Sequence, residues 1–125
     1  MEAVGYRVKI PQKNFCCGRP LYDYGMLPLA KKFLRDIMAG LKTEIEKGTP
    51  IICLEPGCAS VFKDELLNFF PGNETARKLS SQVFLLAEFL AQDLETLKKI
   101  KKSNFSAVLH GHCHQKSLTG MSSEG

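Results

Sequence analysis

The apolar and polar positions change period several times along the chain. Tyr6-Arg-Val-Lys-Ile10 alternates apolar and basic side chains with period two, as a half-buried strand does, and Pro11 ends it because proline has no amide to give to a ladder. Between positions 28 and 47 the period lengthens. Ala30, Phe33, Leu34, Ile37, Met38, Leu41 and Ile45 fall on one helical stripe, Pro28 suits a first turn, and Gly48-Thr-Pro50 closes the helix. Ile51-Ile-Cys-Leu54 is short, apolar and β-branched, as a buried strand of a parallel sheet is. Glu55-Pro-Gly-Cys58 then turns the chain into a second helix reaching about Phe70, with Phe62, Leu66 and Phe69 or Phe70 inward. Pro71-Gly-Asn73 is a turn, and 74–79 makes one or two helical turns. A third long helix is predicted over 81–101, carrying Val83, Leu86, Leu90, Leu94 and Leu97 on one face, and Ser106-Ala-Val-Leu-His110 reads as the last strand.

That order predicts three parallel strands (5–10, 50–54 and 105–110) joined by right-handed helical crossovers. The expected fold class is α/β, a three-layer, Rossmann-like parallel sheet flanked by helices, with 1–125 as a single domain. In such a sheet Cys16 and Cys17 follow the first strand, Cys58 the second and Cys113 the third. All four then gather along the carboxyl edge, where α/β proteins hold ligands. Cys53, inside an apolar strand, reads as a small core residue.

Composition narrows the class. The chain has 125 residues, 44% of them hydrophobic, which suffices for one core. Met1-Glu-Ala-Val-Gly-Tyr6 lacks the basic stretch and apolar run of a secretory leader, and no apolar run approaches a membrane span. Five cysteines, an odd number, without an export signal point to reduced thiols or metal ligands in the cytoplasm rather than to a disulfide framework. A net charge of +4 is only mildly basic, and much of it is the run Lys98-Lys99-Ile-Lys101-Lys102 at a helix end. With no aromatic-rich surface or recognition motif beside it, nucleic-acid binding is not expected; a solvated face is the default, and a patch for an acidic partner or anionic lipid head groups is the alternative.

The densest chemistry is Cys16-Cys17-Gly18. Neighbouring thiolates repel each other, and adjacent cysteines can bridge only through a strained ring, so a shared metal centre suits the pair; two inert core cysteines are the plain alternative. Gly18, without Cβ, would let the backbone approach a bulky cluster and turn N–H groups to its sulfurs. Cys58 sits where a helix begins, and the dipole there favours a thiolate over the thiol. His110-Gly-His112-Cys113-His114 reads as half of a zinc site or as a histidine–cysteine nucleophile, but no second ligand pair at zinc-finger spacing accompanies it. Arg19 is placed to stabilise an anionic group or to form an ion pair. Asp23 is placed to cap the following helix, while Tyr22 and Tyr24 pack over the loop or serve a redox site.

The runs CCGRPLYDYGML (Cys16 to Leu27), LEPGC (Leu54 to Cys58) and HGHCHQK (His110 to Lys116), in this order over nearly the whole chain, resemble the cysteine-rich CCG region of iron–sulfur oxidoreductases. That family includes heterodisulfide reductase B-type subunits, glycolate oxidase iron–sulfur subunits and the C-terminal part of FAD-linked D-2-hydroxyacid (D-lactate-type) dehydrogenases, to which the resemblance is closest. It implies that Cys16, Cys17, Gly18, Cys58 and Cys113 surround an iron–sulfur cluster of the 4Fe-4S kind, with the four cysteines as ligands. Arg19, His110, His112 and His114 would then lie around those ligands and tune them. It also implies a FAD-bearing partner domain or subunit oxidising a D-2-hydroxy acid such as D-lactate or glycolate, and a quinone, cytochrome or thiol/disulfide acceptor. The expected location is cytoplasmic or peripheral at the inner face of the membrane. In the family's tandem pattern Cys16, Cys17 and Cys58 end a first unit and Cys113 opens a second, so the chain is expected to be a fragment of a larger oxidoreductase, inactive and without an intact cluster by itself. Where some members carry CxxC, this chain has Cys58-Ala-Ser-Val61, so the closing ligand is Cys58 alone or absent. A zinc-binding or structural cysteine-rich module without redox activity is the alternative.

Overall fold

Ile51–Cys53 does form a strand where its sequence calls for one, half-buried rather than buried and without Leu54, which is exposed, and the rest of the architecture is arranged about it. The computed structural model describes residues 1–93, 95, 98, 104–118 and 120. After a 3-10 turn at Glu2–Val4, the elements are α1 (Arg19–Asp23), α2 (Leu27–Gly40), α3 (Lys42–Glu46), β1 (Ile51–Cys53), α4 (Pro56–Lys63), α5 (Glu65–Phe69), α6 (Glu74–Gln82), β2 (Val83–Leu85), α7 (Leu86–Ala91) and α8 (Cys113–Leu118). The strands pair in parallel, Ile51 with Val83, Ile52 with Phe84 and Cys53 with Leu85. Helices α4 to α6 make the crossover between them. Among the described residues the architecture is thus mixed α/β, with a two-stranded parallel sheet flanked by helices.

The helical stripe of 28–47 is present but divided. Pro28 lies in the first turn of α2, Ala30, Leu34, Ile37 and Met38 are buried, and Ile45 is buried on α3. The two helices part at Leu41, which leaves helical geometry at φ −102° and ψ 9°. The helix expected from 58 to 70 divides in the same way at Asp64, whose carboxylate accepts from the Asn68 side-chain amide at 2.8 Å. Asn73 caps α6 by accepting from Ala76 N–H at 2.9 Å. Leu34, Ile45, Leu66, Leu79 and Val83 are fully buried and hold these layers together, each removal from water contributing about 1.5–3 kcal/mol.

Two of the three predicted strands do not form. Residues 6–10 and 106–110 are irregular, and Ile10, Phe105 and Val108 are among the most exposed apolar side chains, Val108 completely so. A strand-like pattern makes a strand only where a neighbouring backbone takes its N–H and C=O groups, and neither run meets one among the described residues. Conversely, Val83-Phe84-Leu85, read as the start of a long helix, is β2. Its apolar residues fit a helical stripe and a buried strand equally well, and the open side of β1 decided between them. The helix resumes as α7, with the Glu88 carboxylate accepting from Leu85 N–H at 2.9 Å; Leu94 and Leu97 of the predicted helix lie outside the described residues. Of the basic run, Lys98 is described and pairs with Glu95; Lys99, Lys101 and Lys102 lie outside. No helix among the described residues is long and apolar enough to cross a membrane.

Candidate functional site

Where β1 ends, Cys53 points the chain into the turn Leu54-Glu55 and on to α4. Glu55 is the N-cap: its carboxylate accepts from Gly57 N–H at 2.9 Å and from Cys58 N–H, so two of the unpaired amides at the helix start are satisfied by one side chain. Cys58 therefore sits in the first turn of α4, held by its own backbone to Glu55. The same residue reaches Cys53, whose thiol donates to the Glu55 carbonyl at 3.4 Å.

The other cysteines arrive from the segment before α1. Phe15 packs against the end of α2, where Gly40 leaves room for its ring; a methyl group there would overlap the ring. Cys17 is 7% exposed and belongs to the hydrophobic core, while its neighbour Cys16 is exposed. Gly18 is buried, has left-handed backbone geometry (φ 79°) and starts α1; a Cβ there would lie 3.3 Å from Ala30 Cα. The glycine that follows the cysteine pair thus serves a turn and a close approach to α2. This path brings Cys17 Sγ to 2.9 Å from Cys58 Sγ, with the Cys17 thiol donating. All five cysteines are free thiols.

The charges in this corner do not favour a thiolate at Cys58. Burial raises its pKa first, and the hydrogen bond and adjacent charge of Cys17, followed by the Glu55 carboxylate, raise it further. Cys53 is also raised, chiefly by burial and then, against a lowering from its bond to the Glu55 backbone, by the Cys17 and Glu55 charges. Glu55 itself is held below the usual carboxylate range: burial pushes it up, and the Gly57 and Cys58 amides more than offset this. The expectation that the helix start would activate Cys58 is therefore corrected. A carboxylate already occupies the N–H groups that would have stabilised the thiolate.

Cys113 is exposed and opens α8, which packs against α4. Beyond the carboxyl ends of β1 and β2 an open pocket of about 530 Å³ is lined by Cys53, Leu85, His110, His112, Cys113 and Gln115, among others. His110 and His112 are exposed, and His112 lowers the Glu55 pKa through its charge. The His114 side chain lies outside what the structure describes. Thus Cys17, Cys53 and Cys58 come together, and Cys113 lines the same pocket as Cys53, whereas Cys16 is exposed. Among the described residues no three His, Cys, Asp or Glu side chains are set to hold a single metal ion.

Arg19 is engaged in ion pairs. Its Nε lies 3.2 Å from the Asp23 carboxylate, and a terminal nitrogen donates to the buried carboxylate of Glu65. Asp23 consequently does not cap α2, whose N-cap is Met26 without a side-chain bond. Tyr22 packs edge-on against Phe69 with centroids 5.8 Å apart, and Tyr24 is exposed. Sequence reasoning read Cys53 as a small core residue, and it does pack against the core; it passed over the roles of Glu55 and Glu65. An acidic residue before Pro-Gly at a helix start is a legible capping signal for Glu55; nothing local distinguishes Glu65 from its neighbours.

No family model matches the chain, and no solved structure does. It is similar to curated proteins named Lactate utilization protein A: that of Geobacillus kaustophilus is 26% identical over 125 residues, covering 97% of this chain and 50% of the relative. That of Bacillus subtilis is 24% identical over 128 residues, covering 99% and 52%, and that of Halalkalibacterium halodurans is 26% identical over 123 residues, covering 96% and 49%. The chain spans about half the length of the curated relatives it matches.

Proposed function

We propose that this chain is the thiol-bearing part of an iron–sulfur electron-transfer unit that serves lactate oxidation. The observation that carries the reading is the convergence of Cys17 and Cys58, far apart in sequence, into contact at the carboxyl edge of a parallel sheet. The name of the relatives, Lactate utilization protein A, supplies the substrate class. Soft sulfur donors in a partly buried, water-poor corner suit iron, and the fit is in part: two thiols meet, a third lies beside them, and the remainder of the ligand set is drawn from Cys16 and Cys113. A bound cluster of the 4Fe-4S kind would supply one-electron transfer.

The chain's own residues prepare that site. Glu55 holds the first turn of α4 and hence the Cys58 backbone; Gly18 and the Arg19–Glu65 pair fix the turn that carries Cys17. His110 and His112, which line the pocket with Cys53 and Cys113, would donate hydrogen bonds toward the sulfurs. In the whole protein we place this segment within a larger cytoplasmic oxidoreductase, its small sheet extended into a Rossmann-like three-layer domain. Electrons come from a FAD-bearing partner acting on a D-2-hydroxy acid and leave to a quinone, cytochrome or thiol/disulfide acceptor.

Anaerobic reconstitution of the whole protein with iron and sulfide, followed by metal and sulfide analysis and visible spectroscopy, tests the reading. The expected outcome is a brown protein with stoichiometric iron and sulfide, whose absorption bleaches on reduction and is lost in Cys17→Ser and Cys58→Ser. A colourless protein that takes up stoichiometric zinc instead would overturn it.

A further inference from the structure

We propose that Cys17 and Cys58 form a reversible intramolecular disulfide, making this dithiol a reaction site for low-molecular-weight disulfides of the oxidised-glutathione type. The two thiols are free, their sulfurs are 2.9 Å apart, and they belong to segments 41 residues apart in sequence. A disulfide bond is about 2.05 Å long, so closure asks each sulfur to move by about half an ångström, within what side-chain torsions supply. The adjacent pair Cys16-Cys17 has no such option, because bridging neighbours strains the peptide ring between them. Burial sets the order of events: Cys17 is 7% exposed, whereas Cys58 is half-buried, so an external disulfide meets Cys58 first.

The exchange balances without any further reagent. Cys58, on losing its proton, attacks one sulfur of R–S–S–R, forming Cys58–S–S–R and releasing R–S⁻. Cys17 then gives up its proton and attacks Cys58 Sγ, forming the Cys17–Cys58 bond and releasing the second R–S⁻, and the two protons convert both leaving groups to R–SH. The protein dithiol loses two electrons and the small disulfide gains them. Excess small thiol runs the sequence backwards. Bridged sulfurs are no longer free to bind metal, and that consequence alone rests on the iron–sulfur reading; the disulfide itself does not.

The test uses the full chain, reduced and desalted under anaerobic conditions, then incubated with oxidised glutathione, quenched with acid, alkylated with N-ethylmaleimide and mapped by mass spectrometry without reduction. The expected result is one cross-linked peptide pair joining Cys17 to Cys58, two hydrogens lighter than the two free peptides together, whatever adducts exposed Cys16 and Cys113 carry, and recovery of both thiols on adding glutathione. Cys53→Ser should retain the bridge and Cys58→Ser should lose it, leaving glutathione adducts. Mapping of the unmodified sequence does not depend on either variant folding. Stable glutathione adducts on Cys58 without a bridge, or a bridge from Cys58 to Cys53, would overturn the proposal. Iron uptake by the reduced whole protein is measured in parallel: a mapped bridge with no iron uptake leaves the disulfide standing and removes the cluster reading, and iron uptake with no bridge does the reverse.

Discussion

Arg19 donates to Glu65 across the space between α1 and α5, and this ion pair fastens the turn bearing Cys16 and Cys17 to the helix that follows Cys58. Glu65 is 4% exposed, and its second carboxylate oxygen has no hydrogen-bond partner. The two halves of the thiol site are therefore coupled through a charge that water cannot reach.

Removing the cation should cost more than removing the pair. Arg19→Met leaves the Glu65 carboxylate buried without its counter-charge and is expected to destabilise the fold by about 3–5 kcal/mol, whereas Arg19→Met with Glu65→Leu should recover most of that loss. Urea unfolding of the single and double variants checks it. Equal loss in both would mean that the residues act through packing alone.

The glycines that shape the cysteine-bearing segment should not tolerate a methyl group. Gly18→Ala combines a left-handed backbone with a tight approach to Ala30, and Gly40→Ala drives into the Phe15 ring. Each is expected to cost about 1–3 kcal/mol, Gly18 through backbone strain and Gly40 through overpacking. Because Phe15 precedes Cys16, Gly40→Ala should also raise the alkylation rate of Cys17, read by timed mass spectrometry. An unchanged rate would separate Phe15 from the placement of the thiol.

Alkaline pH should destabilise the metal-free chain. Burial and the neighbouring charges hold Cys58 and Cys53 above the ordinary thiol value of 9.0 in the folded state. Below that value both states keep the proton, and stability does not depend on these groups. Above it the unfolded chain ionises first and binds fewer protons than the folded one, so stability falls as pH rises. The melting temperature should be level up to about pH 9 and decline beyond it, with Cys58→Ser flattening the decline. In the same samples at neutral pH, exposed Cys16 and Cys113 should be alkylated before Cys58.

The residues show where reading a sequence suffices. The stripe of Ala30, Leu34, Ile37 and Ile45, the turn into α4 and the presence of a strand at Ile51 depend on neighbours within a few positions, and all three were legible from period and punctuation. Val83-Phe84-Leu85 was not, because helix and strand bury those side chains equally well. Pairing with Ile51-Ile52-Cys53, some thirty residues earlier, made the choice by satisfying the backbone groups of both runs.

What the sequence alone determined is the inventory: a soft-donor set of five cysteines, a glycine after the adjacent pair, and the local helices and strand that position them. What only the tertiary structure decided is which thiols meet. Cys17 turned inward to Cys58 while Cys16 stayed in water, Cys53 kept its place packed against the core, and Glu55 took the helix start that would have ionised Cys58. Those outcomes rest on burial and on contacts between segments roughly forty residues apart, and the free energy of such contacts depends on a three-dimensional neighbourhood that no local window contains.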